Sequence, residues 1–321
     1  MTRRRRRRHA GLAATTALAL AVAGCARATQ VLPVQIDPDP APTSAGLAVR
    51  GYDSGVRAIA YLMVTELRLP LPGQLTVFVY PTRAEYERGL IRDGGLSATG
   101  AVRIARASLG LARHRRLFVN DEALRGSPRR AWLSLVAHEL AHLTQYELAG
   151  GRRGRSEQWL REGMADWVAT RILERLGEAG VNTRQRALRA VAAADTDGRE
   201  PVDLVVLGHP RGWNARLSAI GTAPTYGLAL LLTDELVRRH GFDRLIGYFR
   251  AFARADDRFG QFRRAFGESL GEFERGALDR IRQEARRAPP AVECDGFSPP
   301  DTGPEVPPSG VVEECDRSAV R

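Results

Sequence analysis

The chain has 321 residues, 44% of them hydrophobic and 26% charged, which is the composition of a globular protein able to bury a core. Its formal net charge is +11, but Arg3 to Arg8 stand in a segment expected to be removed, and without them the balance is only about +5. All 48 basic residues are arginine, and no zinc knuckle, K-homology loop or aromatic-basic stripe accompanies them, so a nucleic-acid partner is excluded.

Residues 1–24 begin with the arginine run, continue as an Ala- and Leu-rich apolar stretch and end in small residues. The apolar stretch is too short to span a bilayer and reads as a secretory signal. Its end, Val22-Ala23-Gly24-Cys25, resembles a bacterial lipobox, which implies a lipid on Cys25 and an extracytoplasmic chain anchored to the cell membrane. A twin-arginine pair is present without the residues that usually follow it. Residues 25–46 include Asp37-Pro38-Asp39-Pro40-Ala41-Pro42 and lack bulky apolar residues after Ile36, so they are expected to form an extended tether.

From residue 47 the pattern becomes periodic. Val56, Ile59, Ala60, Met63 and Leu67 recur at helical spacing, and residues 75–80, β-branched and aromatic between Pro72-Gly73 and Pro81, predict a strand. A helix over 82–91 follows, with Thr82 as its cap and Gly94-Gly95 beyond its end. Residues 105–112 and 117–120 predict a hairpin turning at Arg113-His114-Arg115. Ser127-Pro128 predicts a helix start and Gly150-Gly151 its stop, with a basic solvated loop over 150–155.

That helix contains His138-Glu139-Leu140-Ala141-His142. A spacing of four puts both imidazoles on one face, as two metal ligands require, and places Glu139 on its flank as a general base. A second helix is expected from Ser156 to Gly177. Glu162, separated from His142 by nineteen residues, comes back on that helix as the third ligand. Asp166, one turn later, is placed to accept the free ring N–H of a ligand histidine. Flanked by Trp159, Leu160, Met164 and Trp167, these carboxylates do not belong to a solvated face.

Residues 178–223 carry a helical piece over 183–194 and no legible function. A Leu-rich helix is expected from Thr225 to His240-Gly241, then amphipathic helices over 242–253 and 262–287. The tail, 289–321, is Pro- and Gly-rich. Outside the cytoplasm its Cys294 and Cys315 are expected to pair, a cross-link that stabilises by about 3 kcal/mol on the loop-entropy account.

His138-Glu139-x-x-His142 followed by Trp159-Leu160-x-Glu162-Gly163-x-Ala165-Asp166 resembles the gluzincin branch of zinc metallopeptidases, strongly over 138–167 and more loosely over 226–280. The resemblance implies an α+β, zincin-like catalytic domain over 47–288, with a small β-sheet followed by a mostly helical half and the metal site on two antiparallel helices. It implies one Zn2+, an edge strand that pairs with an extended peptide, and hydrolysis of a peptide or protein substrate. It also implies an oxyanion donor at the start of a later helix, where Tyr226 stands, with His209 and His240 as rivals. The Gly-x-Met-Glu-Asn type signature that holds a free amino terminus is absent before the metal helix, which argues for an endopeptidase. A catalytically inactive scaffold binding zinc or peptide is the alternative.

Overall fold

The computed structural model describes residues 28–39, 48–152, 154–178, 183–194 and 202–287. It is α+β, a small four-stranded mixed sheet with a mostly helical remainder. The elements are β1 (Gln30–Gln35), α1 (Tyr52–Thr65), β2 (Gln74–Tyr80), α2 (Arg83–Arg92), α3 (Ala98–Ala107), β3 (Gly110–Arg113), β4 (Arg116–Asn120), α4 (Asp121–Leu124), α5 (Arg129–Leu148) and α6 (Gln158–Arg175). After them come α7 (Thr183–Ala194), α8 (Leu204–Leu207), α9 (Pro210–Ile220), α10 (Thr222–His240), α11 (Phe242–Ala251), α12 (Arg258–Phe266) and α13 (Leu270–Arg287).

The strand order is β1-β2-β4-β3; β2 and β4 run parallel and the outer pairs antiparallel. Period-two alternation splits the side chains between two faces. Leu75, Val77, Val79, Leu117 and Val119 join the main core with α1 and α5, while Phe78, Tyr80, Leu111 and Phe118 pack with Tyr86 and Leu90 of α2 and with Ala101 and Ala105 of α3. The sheet is therefore buried on both sides. Its β3 edge lies against α5.

Five expectations are corrected. Residues 30–35 are a strand and not tether, so the folded unit begins before residue 47. Val34 and Ile36 reach the core, and Pro33 is tolerated because β1 is an edge strand with a single neighbour. Residues 105–107 finish α3 and are not the start of a strand, because Ala101 and Ala105 share a buried helical face. Pro128 occupies the cap position of α5 and Ser127 does not cap it. Helix α10 starts at Thr222, which places Tyr226 one turn inside it. The last amphipathic stretch is two helices, because Gly267 at φ 75° takes the left-handed conformation that ends α12.

Thr82 caps α2 by accepting from Glu85 N at 3.2 Å, as its position predicts. The 150–155 loop is tied down at Asp256, which accepts from Arg152 at 3.1 Å and from Arg155 N at 3.2 Å. Residues 1–24, Cys25, Cys294 and Cys315 lie outside the described residues. Among the described residues no helix is long and apolar enough to cross a membrane.

Candidate metal centre

Helix α5 buries Leu133, Val136, Ala137, Leu140, Ala141 and Leu143, which fixes its rotation and leaves His138 and His142 partly open on another face. Helix α6 is anchored likewise by Trp159, Leu160, Met164 and Ala165, and it packs on α5. Gly163 follows Glu162 directly. A Cβ there would overlap Ala229 O and Thr233 Oγ1, so only glycine lets the backbones of α6 and α10 come this close. That approach brings α10, with Tyr226, to the same point.

His138 Nε2 and His142 Nε2 lie 3.1 Å apart, and Glu162 Oε2 lies 3.4 Å from the first and 3.5 Å from the second. These three atoms are all within 4.8 Å of one another. The other ring nitrogens are committed elsewhere. His138 Nδ1 donates to Asp166 Oδ1 at 2.7 Å, and His142 Nδ1 donates to Gln145 Oε1 at 3.0 Å. The Gln145 amide is itself oriented, because its Nε2 donates to Arg161 O at 2.8 Å. Glu162 Oε1 accepts from Gln158 Nε2 at 2.7 Å, leaving Oε2 to face the imidazoles.

These partners fix the tautomers. With each Nδ1 as donor, both Nε2 atoms present lone pairs, and they face each other and a carboxylate oxygen. Three convergent Lewis bases without a shared donor fit a divalent cation, and two imidazoles with one carboxylate fit zinc in a site that keeps a position open.

A proton is drawn to the same point as a metal cation would be. Burial lowers the pKa of His138, but hydrogen bonds to Asp166 and Glu162 and the charges of those carboxylates carry it well above the ordinary histidine value. Burial likewise raises the pKa of Glu162, and His142 and His138 outweigh that and hold it well below the carboxylate range. The pocket stabilises positive charge at the convergence point.

Glu139 is 7% exposed, and its Oε2 accepts from Ala112 N on β3 at 2.6 Å. Gly110 makes room for it, since a Cβ there would stand 3.1 Å from Leu135 Cδ1 and 3.3 Å from Glu139 Cγ. The Tyr226 ring centre is 6.1 Å from that of His138 and 5.1 Å, nearly edge-on, from that of Trp213 on α9. Burial above all, then the charges of Glu162, Asp166 and Glu139, raise the pKa of its phenol well above 10, which keeps it a hydrogen-bond donor.

No protein-family model, curated protein or solved structure matches the chain. What the centre can do follows from its own donors.

The structure brings together His138, His142, Glu162, Asp166, Glu139 and Tyr226. It leaves out the two rival histidines: His240 pairs with Glu268 at 2.9 Å, and His209 is exposed at the start of α9. Gln145, Gln158 and Trp213 are additions. The two glutamines carried a signal, since they stand three residues after His142 and four before Glu162, where helical neighbours meet. Trp213 carried none, because its place depends on how α9 packs.

Proposed function

We propose that this chain is a zinc-dependent peptidase of the gluzincin kind, with His138, His142 and Glu162 as metal ligands. The observation that carries the reading is the tautomer-locked pair of Nε2 atoms facing Glu162 Oε2, with the Glu139 carboxylate on the next residue of the same helix. A bound zinc ion supplies Lewis acidity, lowering the pKa of water and polarising a carbonyl.

The chain's own groups do the rest. Glu139, held by Ala112 N–H, takes the proton of the attacking water and delivers it to the leaving amine. Tyr226 donates its phenolic hydrogen to the oxyanion that forms on the substrate carbonyl. Asp166 and Gln145 keep the imidazoles in the ligating tautomer. In β3, the last strand of the sheet, Ala112 N–H points away from β4 towards Glu139, and its carbonyl therefore points the same way. An extended peptide lying along that edge has a backbone acceptor beside the base, which supports a peptide bond as the target.

The signal-like start and Val22-Ala23-Gly24-Cys25 support export and lipid anchoring at Cys25, and Cys294–Cys315 is proposed as a disulfide on the same ground. Digestion of a peptide library with the wild-type chain, with and without chelator, tests the function. Chelator-sensitive cleavage at internal bonds is expected, and a zinc-loaded chain that cleaves nothing is an inactive scaffold.

A further inference from the structure

Glu157 is an ionisable side chain with no part in the steps above, and it sits at the N-cap of the helix that carries Glu162. It is 0% exposed. Its Oε1 lies 2.9 Å from Arg258 Nε on α12, yet neither carboxylate oxygen receives a well-aimed hydrogen bond among the described residues. Burial raises its pKa to about 7, with the Arg258 charge only partly opposing.

Such a group is costly to keep, and what surrounds it is built closely. Arg258 is fixed by donating from Nη2 to Val205 O at 2.8 Å and by lying 4.6 Å over the Phe259 ring. A Cβ on Gly208 would overlap Glu157 Oε2, so any side chain there would displace the carboxylate from its place beside Arg258. The backbone is tied at the same place. Glu157 N donates to Tyr248 Oη at 3.0 Å on α11, and Gln158 N donates to Gly208 O at 3.0 Å. The charged or titratable groups facing Glu157 are Arg258 of α12 and Tyr248 of α11, with Arg161 of α6 acting on Tyr248 from one turn along.

One residue further on, Gln158 Nε2 holds Glu162 Oε1 at 2.7 Å. Helices α11 and α12 and the Gly208 turn therefore meet at the start of α6, and the next side chain aims the third metal ligand. We infer that Glu157, clamped by Arg258, is a positioning residue that holds the N-terminus of α6 so that Gln158 fixes which oxygen of Glu162 faces the two imidazoles. The inference rests on the reading of His138, His142 and Glu162 as a metal centre. It adds that the centre's affinity is set from the far side of α6, through a salt bridge that touches no ligand.

The test is Co2+ titration of the full chain, followed by the visible absorption of the bound ion, with circular dichroism and thermal melting of the metal-free forms as a fold control. The double variant Glu157→Gln with Arg258→Met removes both charges together, so no lone buried charge is left to unfold the chain. Gln158→Leu cuts the link to Glu162 without touching the pair. Each is expected to weaken Co2+ binding about 10- to 100-fold and to shift the visible bands while keeping the wild-type circular dichroism. The triple variant is expected to be little worse than either, because both changes act through one carboxylate. A folded double variant with wild-type affinity and spectrum overturns the inference and leaves the metal centre standing. A wild-type chain that binds no Co2+ overturns both.

Discussion

Gln145 Oε1 accepts from His142 Nδ1 at 3.0 Å, and this contact decides the tautomer of the second proposed ligand as Asp166 decides that of the first. A glutamine gives a less rigid answer than a carboxylate, because its amide can flip. Here it is held the right way round by Arg161 O, a backbone carbonyl of the helix that brings Glu162. The orientation of one ligand on α5 is thereby coupled to the placement of α6.

Metal should stabilise the fold measurably. With free zinc at a thousand times its dissociation constant and no affinity for the unfolded chain, mass action adds about 4 kcal/mol, a rise in melting temperature on the order of 10 °C for a domain of this size. Differential scanning calorimetry with zinc and with chelator reads this directly. His142→Ala and Glu162→Gln should abolish the difference, and Gln145→Leu should weaken zinc about 10- to 100-fold while the fold persists.

Glu139→Gln should keep one zinc per chain and lower peptide hydrolysis by roughly 10²- to 10⁴-fold, the usual contribution of a positioned base. The amide keeps the size of the carboxylate and can still accept from Ala112 N, so β3 should not move. Wild-type turnover in this variant would remove Glu139 from the mechanism.

Tyr226→Phe keeps the ring that packs against His138 and Trp213 and removes only the hydroxyl. We expect kcat to fall by about 10²- to 10³-fold with KM nearly unchanged, as for loss of a donor used in the transition state. Steady-state kinetics on one defined peptide are sufficient. An equal loss confined to KM would reassign the hydroxyl to substrate binding.

What the sequence made legible follows the physics of each signal. His138, His142, Glu162 and Asp166 were readable because helical spacing turns residue number into direction, and the apolar residues between them said which way each helix faces. The boundaries of α6 were readable to within two residues from polar and glycine punctuation. β1 was not, since its six residues precede a proline run and their burial comes from tertiary contacts with β2, whose paired residues lie 39 to 49 positions away, and with α1. The α2–α3 layer on the second face of the sheet was equally hidden, because Tyr86 and Ala101 meet Phe118 through tertiary packing alone. Glu157 was hidden for the same reason, its partner Arg258 lying on α12.

Glycine substitutions should separate close packing from open helix. Gly163→Ala forces a methyl group against Ala229 O and Thr233 Oγ1 and should lower stability by about 1–3 kcal/mol, as overpacking does. Gly247→Ala, on an exposed face of α11 with nothing within 4 Å, should raise it by about 0.5–1 kcal/mol through helix propensity. Urea unfolding of the two variants beside the wild type measures both signs. A neutral Gly163→Ala would mean that α6 and α10 can separate at little cost.

The buried pair at the start of α6 predicts a pH dependence of stability. Burial raises the Glu157 pKa to about 7, against 4.5 for an ordinary glutamate, so between these values the folded chain binds more protons here than the unfolded chain. The contribution is therefore complete below about pH 4.5 and is lost as pH rises through 7, a change of roughly 3 kcal/mol. Other groups titrate over the same range, so the comparison is with the double variant Glu157→Gln with Arg258→Met, which leaves no lone buried charge and should lack this component. Urea unfolding of both chains at pH 5 and pH 8 gives the difference. Wild type should lose more stability than the variant across that interval, and parallel losses would show that Arg258 keeps Glu157 ionised throughout.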